Sequence, residues 1–289
     1  MLFSILIVNY NYGIYLEHAI KSCLNQDFED YEILIYDDGS TDNSIDIIKS
    51  FEGRIKYYLG KKNPQSANIS QFVAFDFLAK RAQGQYLCLL DSDDYFHHEK
   101  LKNIKKIITL NPDKNVIQHP FWQVNNQKQT RIVRPFLRKS INRKSFINAR
   151  IPLYFACQTS GIIVKKENLA NLNFNAVYES GIWLDVIITR NAILDNDIIT
   201  HPRPLGFYRV HDTNDSHRLK NWNKRLAALI EQLKYVCQLA EEKSLKSRNW
   251  NILVYLLERN SFLSRIIMIF TIPYGGRIKH KITNILGLN

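Results

Sequence analysis

The sequence has few cysteines and no long apolar run, and both absences restrict the classes of protein to which it can belong. Its four cysteines lie far apart in apolar stretches: Cys23, Cys88, Cys157 and Cys237. Thiols without paired spacing indicate neither a disulfide framework nor a zinc site, and they favour a reducing compartment. No stretch reaches the roughly 20 apolar residues of a membrane-spanning helix. The N-terminus also has neither a basic region nor a small-residue cleavage site, so we expect no secretory signal and a cytoplasmic protein.

Acidic residues are too few to balance the basic ones, since 39 Lys and Arg face 27 Asp and Glu and leave a net charge of +12. Such an excess indicates an anionic partner, which is a phosphate-bearing substrate, an anionic lipid or a nucleic acid. The sequence has no recognisable reading element in which aromatic and basic residues alternate, so we expect no nucleic-acid partner. The first sixty residues are rich in Asp and Glu, whereas Arg131 to Arg150 and Arg259 to Lys281 are basic.

Short apolar runs alternate with stretches of helical spacing over the first hundred residues. The runs predict strands at Phe3 to Val8, Tyr31 to Tyr36 and Tyr86 to Leu90, and helices at Ile14 to Gln26, Ser44 to Phe51 and Ser70 to Arg81. This alternation predicts an α/β fold with a mostly parallel sheet flanked by helices. Ligands of such sheets bind beyond the carboxyl ends of the strands.

The pattern loosens beyond Asn111. Gln123 to Thr130 is polar and predicts a loop before the basic segment. Later elements are predicted as strands at Ser160 to Val164 and Leu205 to Val210, and as helices at Gly181 to Leu194 and Asn221 to Glu242. Helices are expected to dominate from there to the end, which predicts a mainly helical C-terminal extension.

Polar clusters follow three of the predicted strands. They are Asn9 to Gly13, Asp37 to Asp42 and Asp91 to Asp94. Because the strands are predicted to be parallel, the clusters define one polar crevice. Asn, Asp and Gly also form turns, and that explanation serves equally well for Asn9 to Gly13. It serves less well for Asp91 to Asp94, where three carboxylates repel one another unless a cation is near.

Several ordered motifs resemble family 2 of the inverting glycosyltransferases, which have the GT-A fold. SILIVNYNYGIYLEHAIKSCLNQDFEDYEILIYDDGSTDNS resembles that family's first βαβ unit, and GQYLCLLDSDD is similar to its metal-binding DxD strand end. TSGIIVKKENL and PLGFYRVH resemble its acceptor-side strand and its closing Tyr-Arg-x-His segment. The resemblance covers residues 1–215 and implies a nucleotide-binding half (1–110), an acceptor half (111–215) and a helical extension (216–289).

The resemblance also implies roles for individual residues. The donor is expected to be a UDP-sugar. Its nucleotide is expected to contact residues of the three polar clusters and the strand end before the first, which are Val8, Tyr10, Asn11, Asp37, Asp38, Asp91 and Ser92. Asp93 is expected to ligate a metal, with Asp91 nearer the ribose, Asp94 as a support or second ligand, and His211 as a further ligand or phosphate contact. Carboxylates favour Mn²⁺ or Mg²⁺ over zinc. Two alternatives stay open: a lone His is often structural, and Asp37 and Asp38 could cap the helix that follows them.

Inversion requires a carboxylate that removes the proton of the acceptor hydroxyl. The resemblance implies that this base precedes a helix and lies ahead of the turn that leads to the Tyr-Arg-x-His segment, which makes Asp185 the first candidate and Glu179 the reserve. Leu184 stands where the family has a second acidic residue, and Phe75 stands where many relatives have an arginine. An acidic residue on a solvated helix face is the other explanation, and it suits Glu179 better than Asp185.

The C-terminal segment Ser261 to Leu288 mixes apolar residues with Arg265, Arg277, Lys279 and Lys281. Such a helix either lies on the anionic inner face of a membrane, near a lipid-linked acceptor, or packs on the rest of the protein. The resemblance implies a glycosyltransferase that moves a sugar from a nucleotide donor to a glycan or lipid-linked acceptor in surface polysaccharide synthesis. The alternative is a catalytically silent nucleotide- or carbohydrate-binding protein with the same fold.

Overall fold

The structure is a computed structural model that describes residues 1–62, 67–125, 128–133, 158–170, 182–195, 197–212, 214, 222–245, 254, 255 and 258. The chain forms two compact units, residues 1–143 with 156–214 and residues 144–155 with 215–289. The strands of the first unit are β1 (Phe3–Asn9), β2 (Tyr31–Asp37), β3 (Lys56–Leu59), β4 (Tyr86–Asp91), β5 (Tyr95–Phe96), β6 (Val116–Gln118), β7 (Phe121–Asn125), β8 (Lys128–Val133), β9 (Ile162–Lys165), β10 (Ile198–Thr200) and β11 (Gly206–Arg209). Its helices are α1 (Gly13–Leu24), α2 (Ser44–Lys49), α3 (Ala67–Arg81), α4 (Lys100–Leu110), α5 (Lys166–Ala170) and α6 (Leu184–Leu194), with a 3-10 turn at Thr159–Gly161.

The central sheet has seven strands in the order β10-β6-β9-β4-β1-β2-β3. Strand β1 runs parallel to both β2 and β4, and β2 runs parallel to β3. Strand β9 is antiparallel to both of its neighbours, β4 and β6. The sheet is therefore mostly parallel, as the alternation of strands and helices predicts.

The apolar side chains of β1, β2 and β4 bury the sheet on both faces. Ile5, Ile7, Ile35, Cys88 and Leu90 are completely or almost completely inaccessible to solvent and pack with one another in the main core. Near-continuous apolar strands of this kind are typical of a parallel sheet covered by helices. Strand order reverses at β1, because β2 and β3 lie on one side of it and β4 on the other. The carboxyl end of β1 is thus the switch point at which such folds bind ligands.

A second sheet corrects one expectation from the sequence. Its order is β5-β11-β7-β8, and β7 pairs with β8 as an antiparallel hairpin. Gln123 to Thr130 was expected to be a loop, and this prediction was wrong, because most of it lies in the two strands of the hairpin. Many residues of this hairpin are polar because it buries one face only, as the buried Phe121 and Val124 show.

The other predicted elements agree with the structure within a few residues. Helix α6 begins three residues later than predicted, at Leu184. Cys23 and Cys88 are buried free thiols, as expected, and Cys157 lies outside the described residues.

The second unit is described mainly by helix α7 (Trp222–Glu242), which buries Leu233, Val236 and Ala240. In the portion of the chain that the structure describes, no helix combines the length and the apolar character that a membrane crossing requires. The predicted membrane-contacting segment, Ser261 to Leu288, lies outside the described residues.

Candidate active site

Asp37, the last residue of β2, is tied to the end of β1. Its Oδ2 accepts hydrogen bonds from Asn9 Nδ2 and from Ser40 Oγ, both at 2.7 Å. Its Oδ1 accepts the backbone N–H of Ser40 at 2.8 Å. Helix α2 begins only at Ser44, whose backbone N–H is bonded by Asp42 at 3.0 Å. The hydrogen bonds of Asp37 thus go to Asn9 and Ser40, ahead of the helix, and the first helical N–H is bonded by Asp42.

The loop after β1 is fastened to the loop after β2. Asn11 has the left-handed backbone angle φ 55°, and its Oδ1 accepts the backbone N–H of Thr41 at 2.7 Å. The backbone N–H of Gly13 donates to Asp42 Oδ2 at 2.9 Å. A Cβ at Gly13 would lie 2.1 Å from Asn43 Oδ1, so a larger residue at this position would displace the side chain of Asn43. The two loops together form a fixed cradle at the switch point.

A lysine lies over the rim of this cradle. Lys62 Nζ is 3.3 Å from the centroid of the Tyr10 ring. Gly39 makes the crossing possible, because its φ is +76° and a Cβ there would lie 2.5 Å from the backbone nitrogen of Lys62. Phe75, at the position where relatives have an arginine, is completely buried in α3. Lys62 thus places a positive charge at the rim of the cradle, whereas Phe75 of α3 contributes none.

The residues after β4 are bound to the turn before β9 and to α3. The backbone N–H of Asp91 donates to Ser160 Oγ at 3.1 Å, and Ser160 Oγ donates to Asp94 Oδ2 at 2.7 Å. Gln71 Nε2 donates to Asp91 Oδ1 at 2.7 Å. Ser92 is buried and lies between the two acidic positions. Asp91 and Asp94 are consequently fixed from two directions.

Asp93 is approached by the segment that follows β11. His211 Nε2 lies 3.0 Å from Asp93 Oδ2, and Asn214 Nδ2 donates to the same oxygen at 3.0 Å. Arg209 Nη1 donates to the backbone oxygen of Asp93 at 2.7 Å, and the backbone N–H of Arg209 donates to Asp94 Oδ1 at 2.9 Å. The structure therefore brings the Tyr-Arg-x-His segment onto the Asp-Ser-Asp-Asp run, although 115 residues or more separate the bonded partners.

Three carboxylates converge at this place. Burial raises the pKa of Asp94 well above its ordinary value, and the negative charges of Asp93 and Asp91 raise it further. Clustered carboxylates with too little neutralising charge are stabilised by a cation. The donor set comprises carboxylate oxygens and one imidazole nitrogen, which fits Mn²⁺ or Mg²⁺. Asp91, Asp93 and His211 are the residues that would hold the ion.

Asp185 lies in the first turn of α6. Its Oδ1 accepts the backbone N–H of Val186 at 2.8 Å. Burial raises its pKa to about 6, against the opposing effects of that hydrogen bond and of the buried cation Arg190. Asp185 is thus a carboxylate that takes up a proton as the pH falls through about 6. Its side-chain hydrogen bond to Val186 is local to α6, and the reserve candidate Glu179 lies outside the described residues.

Some residues of the site were not anticipated from the sequence. Ser40, Gln71, Ser160 and Asn214 hold the carboxylates, and His18 accepts a hydrogen bond from Arg209 Nη2 at its Nδ1 over 3.0 Å. Arg209 was within a recognised motif, so its participation could have been inferred. Ser160 lies in the motif TSGIIVKKENL, and Gln71 lies in the predicted helix from Ser70 to Arg81, but neither has a sequence signal that identifies its partner.

A second group of possible metal ligands lies outside this site and is the more compact of the two. Among the described residues, His97, His98 and Glu99 place all their ligand atoms within 4.8 Å of one another, whereas the ligand atoms of the acidic site are more widely spaced. His97 Nδ1 accepts the backbone N–H of Glu99 at 3.3 Å. Because these residues could bind an added ion, experiments on the acidic site must take them into account.

Comparison with known proteins places the geometry in a family context. The model of glycosyl transferase family 2 matches residues 4–169. An uncharacterized glycosyltransferase of Nostoc sp. is 31% identical over 218 residues, which are 74% of this chain and 66% of the relative. A Campylobacter jejuni GalNAc(5)-diNAcBac-PP-undecaprenol beta-1,3-glucosyltransferase is 27% identical over 192 residues, 63% of this chain and 59% of the relative.

A solved structure supports the same fold. Staphylococcus aureus TarS 1–349 in complex with UDP-GlcNAc superimposes with a TM-score of 0.59 at 18% identity, and the match covers 83% of this chain and 66% of that one. The chain spans less than two thirds of the length of the Nostoc and Campylobacter relatives. The matched family region contains both strand-end loops and the Asp91 to Asp94 run, whereas Asp185, Arg209 and His211 lie beyond it.

Proposed function

The chain belongs to glycosyl transferase family 2, and from that premise we propose that it transfers a sugar, with inversion, from a UDP-sugar to a glycan or lipid-linked acceptor. The observation that carries the proposal is the convergence of polar groups at the switch point. Asp37 at the end of β2 and Asp91 at the end of β4 flank the loop after β1, and Asp93, Arg209 and His211 adjoin them.

The cradle after β1 and β2 suits the nucleoside. Val8, Tyr10 and Asn11 supply its wall, and the carboxylates of Asp37 and Asp38 are suited to hydrogen bonds from a base and a ribose. Asp37 is already oriented by Asn9 and Ser40, so it can accept a ligand without reorganising. Lys62, over the ring of Tyr10, adds a positive charge toward an anionic ligand.

The acidic run suits the diphosphate. Asp93, Asp91 and His211 would hold Mn²⁺ or Mg²⁺, with Ser92 and Asp94 beside them. The ion, when bound, would neutralise the charge that develops on the departing diphosphate. Arg209 supplies a fixed cation beside Asp93, at 2.7 Å from its backbone oxygen.

The proton of the acceptor hydroxyl passes to the carboxylate of Asp185 in this proposal. The hydroxyl oxygen bonds to the anomeric carbon on the face opposite the diphosphate, whose bond to that carbon breaks. A pKa of about 6 leaves Asp185 ionised at neutral pH and still basic enough to accept the proton. Glu179 is the reserve for this role.

The acceptor is assigned less directly than the donor. The Campylobacter relative is named as a glucosyltransferase of an undecaprenol-linked glycan, and this supports a lipid-linked acceptor in surface polysaccharide synthesis. We propose residues 111–215 as the acceptor half and 216–289 as a helical extension that contacts the inner face of the membrane from the cytoplasm. The net charge of +12 is consistent with that surface.

Calorimetry with a panel of nucleoside diphosphates, with and without Mn²⁺, tests the proposal. Binding of UDP that requires Mn²⁺ and is lost in Asp93→Ala is the expected result. A His98→Ala variant, which disturbs the second ligand group, should bind as the wild type does. Tight binding of GDP in place of UDP would show that the donor is a GDP-sugar. Failure to bind any nucleotide would favour the alternative of a catalytically silent protein with the same fold.

A further inference from the structure

Lys100 is a fully buried lysine at the start of α4. Its Nζ donates a hydrogen bond to the backbone oxygen of Ser160 at 3.0 Å and lies 3.3 Å from the centroid of the Phe96 ring. Burying an ammonium group is costly unless its surroundings compensate for the lost hydration. A buried lysine at this place therefore requires an explanation, and its contact with Ser160 suggests one.

Ser160 connects Lys100 to the acidic run. It is completely buried, and its hydroxyl makes two hydrogen bonds, accepting from the backbone N–H of Asp91 at 3.1 Å and donating to Asp94 Oδ2 at 2.7 Å. The carbonyl of the same residue accepts from Lys100. The backbone of Ser160 is thus held by the ammonium group of Lys100, and its hydroxyl holds both Asp91 and Asp94.

The link through Ser160 holds the carboxylates near one another against their mutual repulsion. Asp91, Asp93 and Asp94 repel one another, and without restraint the run would spread its charges toward water. Restraining the ligands before a cation arrives lowers the cost of binding, and groups that orient metal ligands typically change metal affinity by roughly 10- to 100-fold when they are removed.

We propose that Lys100 and Ser160 are positioning residues that keep the Asp91 to Asp94 run ready to bind a divalent cation. The inference rests on the proposed function, because it assumes that this run is the metal site. It assigns Lys100 and Ser160 no contact with the donor or the acceptor. Lys100 acts through the Ser160 backbone, and Ser160 acts through the backbone of Asp91 and the carboxylate of Asp94.

The chain contains a matched control for each residue. Ser4 is also completely buried, donates to a carboxylate (Glu32 Oε1, 2.7 Å) and accepts a backbone N–H (Gly84, 2.8 Å). Lys166 also donates to a backbone oxygen, that of Ala82, at 2.6 Å. Neither control contacts the acidic run in these hydrogen bonds. Ser4 therefore reproduces the loss of buried hydrogen bonds at another place, and Lys166 reproduces the loss of a partly buried lysine-to-backbone bond.

The experiment measures Mn²⁺ affinity by electron paramagnetic resonance of the free ion, together with thermal unfolding, in full-length protein carrying His98→Ala. Ser160→Ala and Lys100→Met are expected to weaken Mn²⁺ binding by about 10-fold or more. Ser4→Ala and Lys166→Met are expected to lower the unfolding temperature and to leave the affinity within about twofold of the parent, because their lost bonds do not orient metal ligands. Ser160→Thr, which keeps the hydroxyl, should restore most of the affinity lost in Ser160→Ala.

The outcomes separate this inference from the proposed function. A parent protein that binds no Mn²⁺ would overturn both. A parent that binds Mn²⁺ through Asp93, while Ser160→Ala binds it equally well, would overturn the positioning role alone. If Lys100→Met fails to fold, the Ser160 variants still test whether Ser160 positions the acidic run. The double variant should lose little more affinity than Ser160→Ala, whereas additive losses would contradict a route through Ser160.

Discussion

Buried carboxylates at the two ends of the central sheet have pKa values that are shifted in opposite directions. At the amino end of β2, Glu32 is bonded by Ser4 at 2.7 Å, Lys56 at 2.8 Å and the backbone N–H of Gln83 at 2.6 Å. Burial works to raise the pKa of Glu32, but the hydrogen bonds from these three groups together hold it below its ordinary value. At the carboxyl end of β4, burial and the charges of Asp93 and Asp91 raise the pKa of Asp94 instead.

The contrast separates a carboxylate whose charge the protein itself stabilises from one whose charge the proposed cation would stabilise. Glu32 has its full set of donors and a countercharge within the protein. Asp94 has donors in Ser160 and Arg209, but two further carboxylates adjoin it. A divalent cation would supply the missing positive charge. Asp185, whose pKa burial raises to about 6, belongs with Asp94 by this criterion.

The largest expected effect tests whether a raised pKa marks function at Asp185. Asp185→Asn should lower kcat by about 10²- to 10⁴-fold, because the acceptor hydroxyl loses its general base, and should leave nucleotide binding unchanged. In the wild type, kcat/KM should rise with pH up to about 6 and then level off, as the carboxylate loses its proton. This prediction is tested by measuring the rate of sugar transfer from about pH 5 to about pH 8, the range in which such a group titrates.

Asp46→Asn is the matched control, since Asp46 is an exposed acidic residue in the first turn of α2. It should transfer sugar at the wild-type rate. Full activity of Asp185→Asn would remove this residue from the mechanism and direct attention to Glu179.

The next effect concerns stability at the amino end of the sheet. Glu32→Gln should lower the free energy of unfolding by about 2 kcal/mol at pH 7, because hydrogen bonds to an ionised group are among the stronger ones. The pKa of Glu32 is lower in the folded than in the unfolded state, so its contribution is present above the unfolded pKa and is lost as pH falls through the folded pKa. Urea unfolding curves of the two proteins should therefore converge in acid. A constant difference at every pH would show that the charge of Glu32 is not what stabilises the fold.

Substitution at Asp94 should have the opposite sign. The pKa of Asp94 is raised in the folded state, so its stabilising contribution is present at low pH and is lost as pH rises through the folded pKa. Asp94→Asn should then raise the stability of the metal-free protein by about 1 kcal/mol at pH 7, and the gain should shrink in acid. Added Mn²⁺ should stabilise the wild type more than Asp94→Asn, because the variant keeps Asp91, Asp93 and His211 but loses one negative charge beside them. Thermal unfolding with and without the ion measures both effects, and a variant that is less stable without metal would refute the contrast between the two ends.

The sequence allows the central sheet and the position of the site to be predicted, because both depend on local patterns. The apolar runs of β1, β2 and β4 stand out from the helices between them, and the polar residues that follow them must meet at one edge of a parallel sheet. The hairpin of β7 and β8 was missed because its strands are short and mainly polar.

The supporting contacts of the site could not be predicted for a different reason. Ser160 meets Asp94 across 66 positions of the chain, and Gln71 meets Asp91 across 20. Ser160 lies in the 3-10 turn before β9, and the partner of a single serine depends on strand order, which local sequence patterns do not determine. The antiparallel placement of β9 beside β4 is what brings Ser160 to the acidic run.

The smallest expected effect concerns the loop after β1, where Asn11 joins a left-handed backbone to a hydrogen bond with Thr41. Asn11→Gly keeps the backbone conformation and loses the bond, so the KM for the donor should rise about fivefold, the effect of about 1 kcal/mol. Asn11→Ala loses the bond and also strains the backbone, so it should additionally lower the stability by about 1 kcal/mol. Donor kinetics and thermal unfolding of both variants distinguish the two contributions. Equal donor KM values for Asn11→Gly and the wild type would mean that the hydrogen bond between the two loops contributes to folding alone. The polar contacts of the cradle would then stabilise the fold, as those of Glu32 at the amino end of the sheet do, and would not contribute to ligand binding.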